Sequence, residues 1–162
     1  NEIVVVDTNK LAVAARWPTA PCQKPHGMAM DTQTGRLFVS CGNRHMIVVD
    51  AANGKIVADF PIGEGTDAAA FDPKAKFVYS SNRDGTLSVI AERGPDDFVL
   101  LGNVKTAPGA RTMALDPKTG RIFLVTADAS KTEPSQKPGH GPELVFAPDS
   151  VKLLVLAPAG AP

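Results

Sequence analysis

The segment Gly27-Met-Ala-Met-Asp31 returns as Ala68-Ala-Ala-Phe-Asp72 and again as Thr112-Met-Ala-Leu-Asp116. The aspartates that end the three copies are 41 and then 44 residues apart, and turn residues follow each of them. An aromatic residue stands seven positions after each aspartate, as Phe38, Tyr79 and Phe123. Because an Asp side chain bonds backbone groups further along a turn, each copy predicts two short antiparallel strands joined by that turn.

The residues that follow each predicted hairpin repeat as well. Met46-Ile-Val-Val-Asp50 and Lys55-Ile-Val-Ala-Asp-Phe60 read as two further strands on either side of the turn residues Asn53-Gly54. The chain start matches this half at an offset of 43, since Val5-Val-Asp7 aligns with Val48-Val-Asp50. A unit of four short strands at this period is typical of a β-propeller blade. The sequence therefore predicts an all-β fold built from four-stranded antiparallel blades.

The strand count predicts about three and a half blades, which form an incomplete ring. We assign residues 1–20 to the outer strands of one blade, 21–62 and 63–106 to complete blades, and 107–162 to a last blade with a long insertion at 128–150. Propellers close by stacking about four to eight blades, so this chain does not close alone. We expect missing N-terminal blades of a parent chain to complete the ring, with a second copy as the alternative.

Composition and charge exclude some classes of partner. Hydrophobic residues make up 43% and charged residues 21% of the chain, as is usual in soluble globular domains. Lys plus Arg and Asp plus Glu are equal at 17 each, so no net field attracts a polyanion. No apolar run reaches the roughly 18 residues that span a bilayer. We therefore predict no nucleic-acid partner and no membrane span.

Three unlike side chains occupy one position of the repeat, five residues before each turn aspartate: His26, Asp67 and Arg111. Inner strands run side by side around a propeller channel, so these residues are expected to ring one channel mouth. The loops that return to this mouth, together with the insertion, complete the candidate ligand-binding set, which is His26, Asp67, Arg111, Asn43, Asn82, Asp128 and His140. Such groups suit a small polar or anionic ligand or acid–base work, and polar residues that only meet water are the other interpretation.

The insertion at 128–150 is long for a compact domain, and loops of that length are usually functional or disordered. Its Pro, Gly and polar residues favour an extended, mobile segment over a helix. A lid or partner-docking loop and an inert surface loop both remain open.

Several segments resemble the YVTN-type repeat of bacterial YncE-like propeller proteins. They are Tyr79-Ser-Ser-Asn82 followed by Leu87-Ser-Val-Ile90, together with Pro25-His-Gly27 and Gly54-Lys-Ile-Val57. The resemblance implies the C-terminal half of a roughly seven-bladed ring, export to the bacterial periplasm or cell surface, and a binding function more often than a catalytic one.

The chain has two cysteines, Cys22 and Cys41. The predicted hairpin brings them to one edge, where a disulfide bond is feasible, and two buried thiols are the alternative. Export, as the resemblance implies it, favours the bond. The three histidines are scattered, and no phosphate-cradling loop or dinucleotide fingerprint is present, so we expect no metal and no cofactor.

Two functions follow from these observations. The first is a non-catalytic exported propeller that presents its mouth to a small ligand or a protein. The second is a propeller-type enzyme, such as a lactonase or a quinone-dependent dehydrogenase, with its site at the same mouth.

Overall fold

The computed structural model describes residues 1–136 and 142–158. Within these ranges the chain forms strands, turns and loops without a helix, so none of it is a helix long and apolar enough to cross a membrane. The strands are β1 (Glu2–Asp7), β2 (Ala12–Pro18), β3 (Pro25–Asp31), β4 (Arg36–Cys41), β5 (His45–Asp50), β6 (Ile56–Pro61), β7 (Thr66–Asp72), β8 (Phe77–Asn82), β9 (Thr86–Gly94), β10 (Asp97–Lys105), β11 (Thr112–Asp116), β12 (Arg121–Thr126), β13 (Ala129–Glu133), β14 (Glu143–Phe146) and β15 (Lys152–Leu156).

These strands form four successive antiparallel sheets and one separate hairpin. The first sheet is β1-β2, the second is β3-β4-β5-β6, the third is β7-β8-β9-β10, and the fourth is β11-β12-β15. The hairpin is β13-β14. Neighbours in sequence are neighbours in the second and third sheets, as expected when short turns join antiparallel strands. The prediction of an all-β chain with four-stranded antiparallel units is confirmed.

Each sheet packs face to face on the next, because successive residues of a strand point to opposite faces. In the second sheet Leu37 and Val39 face the first sheet, where they pack with Trp17. Phe38, which lies between them, faces the third sheet and packs with Val78. A third cluster joins the third and fourth sheets. The core is therefore divided into layers between sheets.

The turns after β3, β7 and β11 share one construction. The Asp31 carboxylate accepts a hydrogen bond of 2.8 Å from the Gln33 backbone N–H, and Asp72 accepts one of 2.8 Å from Lys74. Asp116 does the same with Lys118 at 3.0 Å. The repeated aspartates thus hold the hairpin turns.

The described part of the insertion is extended, and two of its segments pair with each other. Its described part contains the hairpin β13-β14, with Thr132 paired to Leu144 and Glu133 to Glu143. At the base of the hairpin the Phe146 ring packs on Gly109, where an added Cβ would lie 2.6 Å from the ring. Backbone pairing and this contact hold the described part of the insertion in place.

Candidate functional site

His26 and Asp67 are the second residues of the inner strands β3 and β7, and Arg111 immediately precedes the inner strand β11. Strands β3 and β7 are packed together, as are β7 and β11. The structure thus places the three residues at equivalent positions of adjacent strands. His26 and Arg111 are exposed, and Asp67 is half-buried.

A β-bulge interrupts the pairing at two of these positions. In β3, Pro25 pairs with Cys41 and Met28 with Val39. Two residues of β3, His26 and Gly27, therefore stand opposite one residue of β4. In β7, the extra residue between two paired neighbours is Asp67. Bulges bend a strand and re-aim a side chain, and they are frequent beside binding sites.

Buried hydroxyl groups support both bulges. The Ser40 hydroxyl accepts a hydrogen bond of 3.1 Å from the Gly27 backbone N–H and lies 3.4 Å from the Gly27 carbonyl oxygen. In the next sheet the Thr66 and Ser80 hydroxyls are hydrogen-bonded at 2.8 Å. The Gly27 backbone beside His26 and the Thr66 side chain beside Asp67 are therefore held by side chains of the following strand.

Gly27 sets the approach of the first two inner strands. A Cβ at this position would lie 2.4 Å from the Ala69 backbone nitrogen and 2.7 Å from the Ala68 carbonyl carbon. No other residue allows this approach without a shift of the strands. The contact holds the strand that carries His26 against the strand that carries Asp67.

Hydrogen bonds connect the second and third inner strands. The Thr112 hydroxyl donates a long hydrogen bond of 3.5 Å to the Asp67 carboxylate. The Ser81 hydroxyl donates a hydrogen bond to the Arg111 carbonyl oxygen. Among the described residues, the His26 imidazole and the Arg111 guanidinium have no hydrogen-bond or ion-pair partner. An imidazole, a carboxylate and a guanidinium without a described partner therefore lie at the same end of three adjacent inner strands, and such groups suit a polar ligand that carries an anionic group.

The remaining predicted residues have other surroundings. The Asn43 amide donates to the Pro21 carbonyl oxygen at 2.9 Å and accepts from the Gln23 N–H at 2.8 Å, so it braces the loop before β3. Asp128 forms an ion pair with Lys152 beside the hairpin. His140 lies outside the described residues.

Asn82 is fully buried, with 0% of its surface exposed, and its side chain does not reach the mouth. Its amide oxygen accepts from the Ser80 hydroxyl at 3.1 Å, and its amide nitrogen donates to the Thr86 and Ser88 hydroxyls at 3.0 Å each. A buried amide must be satisfied internally, and this one is satisfied within the third sheet. Asn82 therefore holds the sheet together and does not present a ligand-binding group.

Cys22 and Cys41 are joined by a disulfide bond, with their Cα atoms 5.4 Å apart. The bond ties the loop before β3 to the end of β4. The described part of the chain has no free cysteine. His26 therefore follows a segment that is fixed by a covalent bond and by Asn43.

A cleft of about 240 Å³ opens beside His26, between the first and second sheets. It is mainly apolar, and its lining residues are Glu2, Ile3, Val4, Pro25, His26, Gly27, Met28 and Val39. His26 thus lies in the row with Asp67 and Arg111 and also borders an apolar space.

A buried charged cluster lies at the opposite end of the inner strands, between the second and third sheets. Lys76 Nζ lies 2.8 Å from Asp31 Oδ2, and the Thr34 hydroxyl donates to Glu92 Oε1 at 2.8 Å. Burial raises the pKa of Asp31, but Lys76 and the Gln33 N–H outweigh it and bring that pKa down to about 2. Burial raises the pKa of Glu92, Thr34 lowers it, and the neighbouring Asp31 raises it further.

Sequence reasoning missed this cluster. One signal was present in the sequence: the residue four positions after the turn aspartate is Lys76 in one unit and Gly35 and Gly120 in the others. All three have a left-handed φ, which is 57° at Lys76. Over residues 1–136 and 142–158, no three His, Cys, Asp or Glu side chains come together as a metal site would require.

No family model matches the chain, and no curated protein matches it. Solved structures do match. Hydrazine synthase of Kuenenia stuttgartiensis aligns with a TM-score of 0.69 at 14% identity, over 96% of this chain and 43% of that chain. Dihydro-heme d1 dehydrogenase NirN, in complex with DHE, aligns at 0.64 and 16% identity, over 99% of this chain and 33% of that one.

The Neurospora crassa Pan2 WD40 domain aligns with a TM-score of 0.62 at 14% identity, over 95% of this chain and 43% of that one. These neighbours are β-propeller proteins, and at such identities the likeness concerns the fold alone. The chain spans between 33% and 43% of their lengths. It is a set of β-propeller blades that does not close into a ring.

Proposed function

We propose that this chain belongs to a non-catalytic propeller protein that binds a small polar, anionic ligand at its channel mouth. The observation that carries the proposal is the row formed by His26, Asp67 and Arg111 on adjacent inner strands, with the imidazole and guanidinium free of partners among the described residues. Regular antiparallel pairing requires no bulge. The bulges at His26 and Asp67 support the proposal, because bulges are frequent beside binding sites.

The enzyme alternative has less support from the geometry. A general base is usually oriented by a second group through a hydrogen bond. The hydrogen-bond partner of the Asp67 carboxylate is the Thr112 hydroxyl, and His26 has no orienting carboxylate among the described residues. The structural neighbours include enzymes as well as a WD40 domain, so the fold does not choose between the two functions.

Export is part of the proposal. The disulfide bond between Cys22 and Cys41 supports it, because such bonds persist mainly in oxidising compartments. The YVTN-type resemblance supports a bacterial periplasmic or surface location. Further blades, from the rest of a longer chain or from a second copy, complete the ring in this proposal.

Isothermal titration with inorganic phosphate and with succinate as probe anions tests the binding function. We expect saturable binding of at least one probe, weakened about tenfold or more in Arg111→Gln, because a charge-assisted hydrogen bond is lost. Arg93→Gln is the matched control, since Arg93 is also exposed but lies at the opposite end of the third sheet and pairs with Asp97 at 2.7 Å. Equal weakening in both variants, or no saturable binding by the parent protein, contradicts the proposal.

A further inference from the structure

Asp72 takes the place of Asp31 in the repeat, and both residues are only 2% exposed. In each turn the Oδ1 atom accepts a hydrogen bond of 2.8 Å from the backbone N–H two residues later, which belongs to Gln33 or Lys74. The Ala75 N–H adds a second bond to Asp72 Oδ1 at 3.0 Å. Oδ1 is thus used within the turn, and Oδ2 is directed to the following sheet.

The third sheet supplies an ammonium group to the Asp31 carboxylate. Lys76 Nζ lies 2.8 Å from Asp31 Oδ2. Glu92, from another strand of the third sheet, lies beside this pair and interacts with both residues. The charge of the buried Asp31 carboxylate is therefore compensated by a side chain of the next sheet.

The fourth sheet has uncharged residues at both of these places. Gly120 takes the place of Lys76, four residues after its own turn aspartate. Pro158 takes the place of Glu92, because each lies two residues after the partner of the second residue of the middle strand. A Cβ on Gly120 would lie 3.4 Å from Asp72 Oδ2 and 3.0 Å from Pro158 Cγ. Both residues therefore border the carboxylate without compensating its charge.

Two oxygen atoms in this region have no partner among the described residues. Asp72 Oδ2 takes part in no hydrogen bond or ion pair there, and neither does the hydroxyl group of Tyr79, a residue 7% exposed. Burial raises the pKa of Tyr79, and the charge of Asp72 raises it further. The hydroxyl group and the carboxylate therefore lie within electrostatic range of each other.

A buried carboxylate is costly unless a positive charge or hydrogen bonds compensate it. At the preceding interface the compensating group is an ammonium ion on a side chain, with a single positive charge. Carboxylate and hydroxyl oxygens are ligands for hard cations. Calcium takes six to eight oxygen ligands, commonly with several carboxylates. One carboxylate at this place matches a monovalent cation instead.

We propose that a monovalent cation of ammonium size, such as K⁺, binds Asp72 Oδ2 between the third and fourth sheets. It takes the place that Lys76 Nζ has between the second and third sheets, and Gly120 leaves that place free of a side chain. The bound cation joins the two sheets as the lysine does. This site lies at the end of the inner strands opposite to Arg111, so it is separate from the proposed ligand site at the mouth.

Thermal unfolding of the protein at its natural length tests this proposal. KCl replaces choline chloride in steps at constant ionic strength, so that screening of surface charges stays the same. Choline is a quaternary ammonium ion too large for the place of an ammonium group. The test variant is Asp72→Asn, which keeps the shape of the side chain. The matched control is Asp31→Asn, at the equivalent buried turn position, where Lys76 supplies the positive charge.

We expect K⁺ to raise the melting temperature of the parent protein by about 3 °C relative to choline, because a ligand that binds only the folded state stabilises it. Asp72→Asn should lose this rise. Asp31→Asn should melt at a lower temperature and keep the rise. Equal melting temperatures of the parent protein in the two salts overturn the proposal, since another group then compensates Asp72. A rise of the same size in Asp72→Asn also overturns it.

Gly120→Lys gives a second test that does not depend on the folding of Asp72→Asn. Lysine is accommodated at the equivalent position of the preceding unit, where φ is 57° at Lys76 against 69° at Gly120. The introduced ammonium group should occupy the cation site and remove the dependence on K⁺. A variant that responds to K⁺ as strongly as the parent protein contradicts a site at Asp72.

Discussion

Lys76 Nζ lies 2.8 Å from Asp31 Oδ2 and joins the turn of one sheet to the turn of the sheet before it. The Asp31 side chain is 2% exposed, and the ammonium also contacts the Gln33 side chain at 3.0 Å. Lys76 adopts a left-handed φ of 57°, which glycine adopts at no steric cost. The ion pair between the sheets gives a physical reason for a lysine at this strained position.

Lys76→Gly should therefore destabilise the protein at neutral pH although it relieves backbone strain. Removing one partner of a buried ion pair leaves the other charge uncompensated, and we expect a loss of about 3 kcal/mol. In an Asp31→Asn background the same substitution should cost little. Urea unfolding of the parent protein, the two single variants and the double variant measures the coupling free energy between Lys76 and Asp31. Equal effects of Lys76→Gly in both backgrounds contradict this coupling.

Glu92→Gln should stabilise the protein as pH rises. Since the pKa of Glu92 is raised in the folded state, its stabilising contribution is full below its unfolded pKa and falls as pH rises through the folded pKa. Its Oε2 atom is buried with no hydrogen-bond partner among the described residues, and glutamine does not ionise there. We expect an advantage of about 1 kcal/mol at pH 8, shrinking to zero near pH 4.

Urea midpoints between pH 4 and pH 8 check this sign. Asp31 stays ionised throughout that range, because its pKa is about 2. Its own contribution is full above its ordinary pKa of 3.8 and is lost as pH falls from there through about 2. A Glu92→Gln advantage that does not depend on pH would contradict the assignment.

Gly27→Ala should destabilise the fold by about 2 kcal/mol, because the added Cβ would lie 2.4 Å from the Ala69 nitrogen and force β3 from β7. Gly94→Ala is the control, since the nearest atom to its added Cβ is 3.9 Å away. Thermal unfolding of both variants measures the difference. Similar melting temperatures for the two would show that the approach at Gly27 is not tight.

Removal of the disulfide bond should cost about 3 kcal/mol, as expected for a loop of this length. Cys22 and Cys41 are 19 residues apart. The double variant Cys22→Ser with Cys41→Ser should melt at a lower temperature and no longer respond to dithiothreitol. If the double variant melts at the same temperature as the parent protein, the bond contributes nothing to its stability.

The blade architecture was predictable because it rests on short-range signals that recur, such as the spacing from Asp31 to Phe38. The alternation of side chains along each strand then predicts which residues form the core. His26, Asp67 and Arg111 could be identified because they occupy the same position of the repeat, five residues before each turn aspartate. The contact between Thr34 and Glu92 was not predictable, because it joins residues 58 apart in sequence. No local pattern encodes which turns meet across two sheets.

The burial of Asn82 was missed for a different reason. Its place at a strand end suggests a loop residue, and only the nearby hydroxyls of Ser80 and Ser88 indicate a polar network inside the sheet. The hairpin in the insertion was hidden by turn-forming residues around it. In both cases side-chain and backbone partners, which a linear pattern does not specify, decided the structure.

Chemical-shift mapping with inorganic phosphate and succinate on the isotope-labelled protein tests the central claim, that one ligand site lies at the channel mouth. We predict that amide shifts cluster around His26, Asp67 and Arg111 and disappear in Arg111→Gln. Shifts that cluster instead around Lys76 at the opposite end, or that scatter over exposed lysines, would contradict a ligand site at the mouth.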